Sequence, residues 1–107
     1  MTRGWGATVS GGAANAADGD DSSVSGGVEN IALGGDSSVS GGVQSVAHGD
    51  GSSVSGGLQN YATGKYASVS GGRGNEASGE SSSVSGGASR SAAATEDWVA
   101  GGLFQDD

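Results

Sequence analysis

The chain has 107 residues, of which 24 are Gly and none is Pro or Cys, and its formal net charge is −8 at pH 7. Its hydrophobic fraction of 33% lies below the ~45–50% of ordinary domains, so a conventional globular core is not expected and disorder is the first alternative. The acidic balance argues against nucleic-acid binding, and the lack of Cys rules out disulfides and thiolate metal sites.

Residues 1–6 are interpreted as an N-terminal edge. The opening Met1-Thr2-Arg3-Gly4-Trp5 has no hydrophobic stretch of the secretory type. No apolar run approaches the ~18 residues of a membrane span, so direct membrane insertion by this chain is not expected. If the natural protein is exported, the chain is a fragment of it or uses another route.

Residues 7–96 are interpreted as six repeats of 15 residues with the consensus S-S-V-S-G-G-x-x-N-x-A-x-G-x-x. Low-complexity linkers drift in spacing, so a period kept without one insertion favours an ordered repeat fold over disorder. We call each of the 15 positions of the repeat a slot. Two slots hold the same apolar residue in every repeat, and they are the predicted core. They hold Val9, Val24, Val39, Val54, Val69, Val84 and Val99, and Ala17, Ala32, Ala47, Ala62, Ala77 and Ala92.

Each period divides into two short strands and two corners. In one repeat the strands are residues 22–25 and 30–33, and the corners are residues 26–29 and 34–36. Gly at this density opposes helix by ~1 kcal/mol per residue, and its place at both corners indicates positive φ there. The sequence therefore predicts an all-β fold, a parallel β-roll of two sheets with coils ~4.8 Å apart.

A single roll of this composition is predicted to be marginally stable. One Val and one Ala per coil contribute ~2–3 kcal/mol at most, whereas each ordered residue costs ~1–2 kcal/mol. Since small cores need disulfides, metal or oligomerisation, association with further copies of the chain is expected. The candidate inter-chain contacts are the apolar residues in variable slots of the middle coils, namely Val28, Ile31, Val43, Val46 and Leu58.

No set of residues suggests catalysis, a cofactor or a metal, so the chain is not expected to be an enzyme. His48 occupies a variable slot. The segment Asp18–Asp21, with Asp36 and Asp50 stacked nearby, could offer oxygen ligands to Ca²⁺, but it lacks the spaced ligands of a calcium loop, and a solvated acidic rim is favoured. Residues 72–77 resemble a dinucleotide-binding fingerprint, but their glycines belong to the 15-residue period, so a dinucleotide site is not expected.

Residues 97–107 are interpreted as a partial repeat and a C-terminal cap. Terminal coils of a solenoid expose strand edges and core, and caps cover them. Trp98 stands where the other repeats have Ser, and Leu103 and Phe104 add apolar bulk. An aromatic platform for a ligand is the alternative interpretation of this segment.

The S-S-V-S-G-G and N-x-A-x-G blocks resemble the head repeats of bacterial trimeric autotransporter adhesins, the haemagglutinin-like repeats of YadA-like heads. The matching segments are residues 22–34, 37–49, 52–64 and 82–87, and the resemblance covers residues 7–96. The better-known heads have a slightly shorter period with S-x-A-x-G in both halves. The neck, coiled-coil stalk and membrane anchor of that family are absent from this sequence.

The resemblance implies a left-handed parallel β-roll in a homotrimer, displayed on the bacterial cell surface or outside the cell and attaching to host or matrix macromolecules. A rigid spacer in a longer surface fibre is an equal alternative. Ice binding is a third, because short-coil solenoids can present flat ladders of small hydroxyl residues. The ladders in question are Ser23, Ser38, Ser53, Ser68 and Ser83, and Ser25, Ser40, Ser55, Ser70 and Ser85.

Overall fold

The structure, a computed structural model, describes residues 3–93 and 98–99, with the backbone alone at Val99. It is an all-β parallel solenoid of about six turns with about 15 residues in each coil, which confirms the predicted roll. Its Cα atoms extend over 45 × 23 × 12 Å, so the cross-section is flattened. The described residues contain no helix, and hence none that could cross a membrane.

Each complete coil contributes two strands of two residues. The strands are Thr8–Val9 (β1), Ala16–Ala17 (β2), Ser23–Val24 (β3), Ile31–Ala32 (β4), Ser38–Val39 (β5), Val46–Ala47 (β6), Ser53–Val54 (β7), Tyr61–Ala62 (β8), Ser68–Val69 (β9), Glu76–Ala77 (β10), Ser83–Val84 (β11), Ser91–Ala92 (β12) and Trp98–Val99 (β13). The odd-numbered strands form a seven-stranded sheet and the even-numbered strands a six-stranded sheet. All neighbours pair in parallel with a shift of 15 residues.

The interior lies between the two sheets and is built from small side chains. Because side chains alternate across a strand, Ser23 faces outward while Val24 is fully buried, and Ile31 faces outward while Ala32 is fully buried. Val9 in the first coil is partly buried, and the side chain of Val99 lies outside the described residues. The fully buried apolar residues are Val24, Val39, Val54, Val69, Val84, Ala17, Ala32, Ala47, Ala62, Ala67, Ala77 and Ala92.

The first corner, at the Gly-Gly pair, uses its two glycines differently. Gly27 has φ +93°, and a Cβ there would overlap the carbonyl oxygen of Gly42 in the next coil. Gly26 has no left-handed backbone, and a Cβ there would meet nothing within 4 Å. The residue after this pair also joins the stack, since Val28 forms parallel bridges with Ala13 and Val43. The corner therefore adds a third column of backbone pairing beside the two sheets.

The second corner departs from the sequence expectation. Positive φ occurs there not at the repeated glycine but two residues later, at Asp21 (φ 56°) and Asp36 (φ 58°). Gly34 is required instead by close stacking, because a Cβ on it would overlap the carbonyl of Gly49 in the next coil. The expectation that both repeated glycines supply positive φ was thus wrong for this corner.

Alanine substitutions at three neighbouring glycines test this description. Gly27→Ala should lower the free energy of unfolding by about 2–5 kcal/mol, from a left-handed backbone cost of ~1–2 kcal/mol and an overlap cost of ~1–3 kcal/mol. Gly34→Ala should cost at least ~1 kcal/mol by overlap alone. Gly26→Ala is the matched control and should change stability by no more than ~1 kcal/mol in either direction. Urea unfolding followed by circular dichroism measures all three, and equal losses at Gly26 and Gly27 would contradict the geometry.

Candidate functional surfaces

A ladder of buried Asn side chains joins successive coils along the first corner. Asn30 is fully buried; its Nδ2 donates to the carbonyl oxygens of Gly26 at 3.0 Å and of Gly42 in the next coil at 2.8 Å. Its Oδ1 accepts from the backbone N–H of Ser45 at 2.9 Å. Asn60 and Asn75 repeat the same three bonds. Each Asn thus closes its own corner and holds the following coil.

The ladder is interrupted at one place. Ser45 occupies the Asn slot of the third coil and is fully buried. Its Oγ accepts from the N–H of Asn60 at 3.4 Å, and it is too short to supply the donors that an Asn offers to the two flanking glycine carbonyls. The recurring Asn was recognisable in the sequence, but its role was not, because that role depends on atoms of the next coil.

A second buried polar slot precedes the Val slot. The hydroxyls of Ser22 and Ser37 each donate to a glycine carbonyl of their own second corner at 2.6 Å, and Ser82 does so at 2.7 Å. Ser52 is buried with its Oγ lacking a hydrogen-bond partner among the described residues, and the next coil has Ala67 in this slot. Ser52 follows Ser45 in the chain after strand β6 and the second corner.

An apolar patch lies on the surface over the second, third and fourth coils. It comprises Val28, Ile31, Leu33, Val43, Val46, Leu58 and Tyr61. Five of these side chains are between 37% and 43% exposed, while Ile31 and Val46 are partly buried. All five residues predicted as inter-chain contacts belong to the patch. Leu33 and Tyr61 were not predicted. Leu33 shares its slot with His48 and Thr63, whereas Tyr61 shares its slot with Ile31 and Val46.

Three side chains beside the patch form a polar ladder parallel to the stack. The Nε2 of Gln44 donates to Oε1 of Glu29 at 3.0 Å, and the Nε2 of Gln59 donates to Oε1 of Gln44 at 3.1 Å. These residues follow Val28, Val43 and Leu58 directly in the chain, and each has a positive φ of 56–57°. The amides therefore satisfy one another from coil to coil along the edge of the patch.

The outer face of the seven-stranded sheet is a grid of hydroxyl side chains. Two outward residues per coil, spaced i and i+2 along the strand, repeat from the first coil to the sixth: Thr8, Ser10, Ser23, Ser25, Ser38, Ser40, Ser53, Ser55, Ser68, Ser70, Ser83 and Ser85. In-register pairing places them ~4.8 Å apart between coils, and the strand rise places them ~6.6 Å apart within a coil. We call this set the hydroxyl grid.

The acidic corner does not assemble a metal site among the described residues, where no group of three His, Asp or Glu side chains is placed to hold an ion. Asp20 Oδ1 accepts from the backbone N–H of Trp5 at 2.9 Å. Asp18 Oδ1 has no hydrogen bond but lies 3.9 Å from the Nε of Arg3, a long ion pair. His48 is exposed in the outward slot that follows strand β6.

Of the three side chains predicted to form the C-terminal cap, those of Trp98, Leu103 and Phe104, only that of Trp98 is described. Its indole Nε1 donates to the hydroxyl of Ser85 at 2.8 Å, and the side chain is largely exposed. Trp98 pairs with Ser83 in the sheet, so it stands at the end of the hydroxyl grid. Leu103 and Phe104 lie outside the described residues.

A shallow depression of about 480 Å³ lies at the N-terminal end of the stack. It is lined by residues 9–12 and 14–16, beside the edge strand β1. Its polar side chains are those of Ser10 and Asn15.

Comparison of the chain with protein-family models and with curated proteins found no match.

Restoring the Asn ladder should stabilise the protein. Ser45→Asn supplies donors to the carbonyls of Gly41 and Gly57, and we expect a gain of about 1–2 kcal/mol in the free energy of unfolding, at ~1 kcal/mol net per added bond. Asn30→Ser should lose about 1–3 kcal/mol, because it removes bonds from buried groups. Ser40→Asn, on the exposed face, is the control and should change stability by less than ~0.5 kcal/mol. Thermal unfolding measures these values; an unchanged midpoint for Ser45→Asn counts against the ladder.

Proposed function

We propose that the chain is a non-catalytic, surface-exposed head module of a trimeric-adhesin-like protein. In this proposal three copies associate as left-handed β-rolls on the bacterial cell surface or outside the cell, and the rigid assembly attaches the cell to another cell or to matrix macromolecules. The observation that supports it most is the apolar patch, because contiguous exposed apolar side chains on a polar surface mark sites of protein association. Handedness, trimer and location rest on the resemblance of the repeats.

The energetics of the patch favour association between copies. Complete burial of a Val or Leu side chain contributes ~1.5–3 kcal/mol, and the exposed members of the patch retain 37–43% of their surface. Covering them adds ~1 kcal/mol each on the same scale. The seven residues, repeated in every copy, supply stabilisation that the interior of small Val and Ala side chains lacks.

A binding or structural role suits a surface that varies while the interior does not. The buried slots repeat Val, Ala, Asn and Ser through the stack, whereas the outward slot of the six-stranded sheet runs Ala16, Ile31, Val46, Tyr61 and Glu76. Rigid repeats with variable outer residues present extended binding surfaces. Direct attachment and a spacer role in a longer fibre share this architecture and differ only in whether the outer surface has a ligand.

Sedimentation equilibrium of the intact chain tests the association. We expect three times the chain mass of 10.0 kDa, and we expect Val43→Lys to dissociate the assembly because it places a charge in the apolar patch. Ser40→Lys, in the hydroxyl grid, is the matched control and should leave the mass unchanged. A monomer with an intact β-sheet spectrum refutes the proposed assembly.

The attachment itself is tested separately with the assembled protein. Binding to a panel of purified matrix proteins and to cultured cells is expected under the adhesive form of the proposal. A trimer that binds none of them supports the spacer role instead.

A second candidate, ice binding, is favoured by the hydroxyl grid. Twelve hydroxyl residues occupy all outward positions of six coils on one sheet with no charged residue among them. A regular array of this kind can hold water molecules at repeated positions, which is the requirement for contact with a crystal lattice. The grid lies on the seven-stranded sheet, whereas the apolar patch lies on the first corner and the six-stranded sheet, so the two candidates use separate surfaces.

Inhibition of ice recrystallisation measures this second candidate. If the grid binds ice, the unmodified chain should keep ice grains small, and Ser53→Lys at the centre of the grid should abolish the effect. Ser78→Lys, on the outer face of the six-stranded sheet, should retain it. No activity in the unmodified chain, or equal loss in both variants, rejects ice binding.

A further inference from the structure

Two outward columns of side chains run along the stack three residues apart in every coil. The corner column contains Ala13, Val28, Val43, Leu58, Arg73 and Ala88, which pair through a continuous series of parallel bridges. The strand column contains Ala16, Ile31, Val46, Tyr61, Glu76 and Ser91, which pair in register as the first residues of the even-numbered strands.

The chemistry of the two columns is matched coil by coil. Both are small in the first coil, with Ala13 and Ala16, and both are apolar in the next three coils. In the fifth coil they carry opposite charges, Arg73 and Glu76, and in the sixth both are small again. Each column alone is irregular, but in every coil the two residues match in size and polarity or carry opposite charges.

We infer that the two columns are the two halves of one interface between copies of this chain. The corner column of one copy packs against the strand column of its neighbour at the same coil level, and Arg73 forms an ion pair with Glu76 of the neighbouring copy. This inference rests on the proposed self-association and specifies its surface and register.

The charged pair is not satisfied within the chain. Arg73 and Glu76 are both exposed, and the one ion pair between described side chains joins Arg3 to Asp18. Lys and Arg together number four against twelve Asp and Glu, so a cation placed at the same level as a carboxylate, directly beyond an apolar patch, is a specific feature. Opposite charges across an interface fix its register.

The order of apolar and charged residues along the two columns favours an assembly in which the copies run parallel. Rotation about an axis parallel to the stack keeps equivalent residues at one height, so that coil five faces coil five. An antiparallel arrangement in which all six coils overlap would place coil five against coil two, with Arg73 facing Ile31 and Glu76 facing Val28. Covering a charge with an apolar side chain is strongly unfavourable, so the parallel arrangement is the one that the columns support.

The polar ladder does not oppose this contact. Gln44 and Gln59 lie between the two columns in the chain, and their amides already bond to Glu29 and to each other along the stack. They therefore do not require partners from the neighbouring copy, which leaves the contact to the two columns on either side.

Charge reversal tests the ion pair in the assembled protein. Arg73→Glu and Glu76→Arg should each raise the dissociation constant about tenfold or more, since like charges across an interface cost at least the 1.4 kcal/mol of one factor of ten. The double variant restores an attractive pair and should recover most of the affinity. Lys65→Glu, an exposed cation of the same coil region outside the columns, is the control and should have little effect.

Cross-linking tests the pairing of columns independently of charge. The chain has no Cys, so Val43→Cys and Val46→Cys variants can be prepared separately and assembled together under mild oxidation. We expect a disulfide between the two variants and none within preparations of either variant alone.

The outcomes separate this inference from the association itself. An oligomer in which Val46→Cys alone cross-links, or in which the double charge reversal recovers nothing, overturns the column pairing and leaves the oligomer standing. A parallel dimer with the expected cross-link supports the pairing and refutes the trimer. A monomeric unmodified chain refutes both.

Discussion

The stacking of every coil directly on the next is the constraint on which the rest of the structure depends. Backbone N–H groups donate to the following coil, as from Ser23 to the carbonyl of Ser37 at 3.0 Å, and the register of 15 residues never changes. Equivalent side chains therefore lie one above another, ~4.8 Å apart. Interior slots must hold residues that stack on copies of themselves, as Val, Ala and Asn do. At the second corner, the backbones of successive coils approach too closely for a Cβ at Gly34.

This stacking explains how much of the fold was predictable from the sequence. A strict period with two glycine positions indicated two strands per coil, and the constant slots placed Val24 and Ala32 inside, where both are fully buried. The sequence did not show that the three glycines have different roles. Gly26 is unconstrained, Gly27 needs a left-handed backbone, and Gly34 allows close contact with the next coil. The difference lies in atoms of the adjacent coil, which a period alone does not specify.

The candidate surfaces were predictable to a smaller extent. Val28 and Val43 were recognisable because their position in the repeat varies between coils, which is not expected of a uniform interior. Both are exposed. Tyr61, Arg73 and Glu76 were missed because each slot was considered alone, and only the bridge pairing of the corner column sets it beside the strand column. The number of copies is not encoded in either column, because any rotational assembly about the same axis brings the same pair together.

The substitution of Ser for Asn at position 45 has a consequence for how the stack holds together. In a solenoid each coil contacts only its neighbours, so the strength of each junction depends on the bonds that cross that junction. The hydrogen bond from the N–H of Asn60 to the Oγ of Ser45 is long, at 3.4 Å, and the Ser52 hydroxyl on the fourth coil has no partner among the described residues. The backbone bonds across this junction remain, as from the N–H of Val46 to the carbonyl of Asn60 at 2.9 Å. We therefore expect the stack to open first between its third and fourth coils, where those bonds lack the support of an Asn side chain.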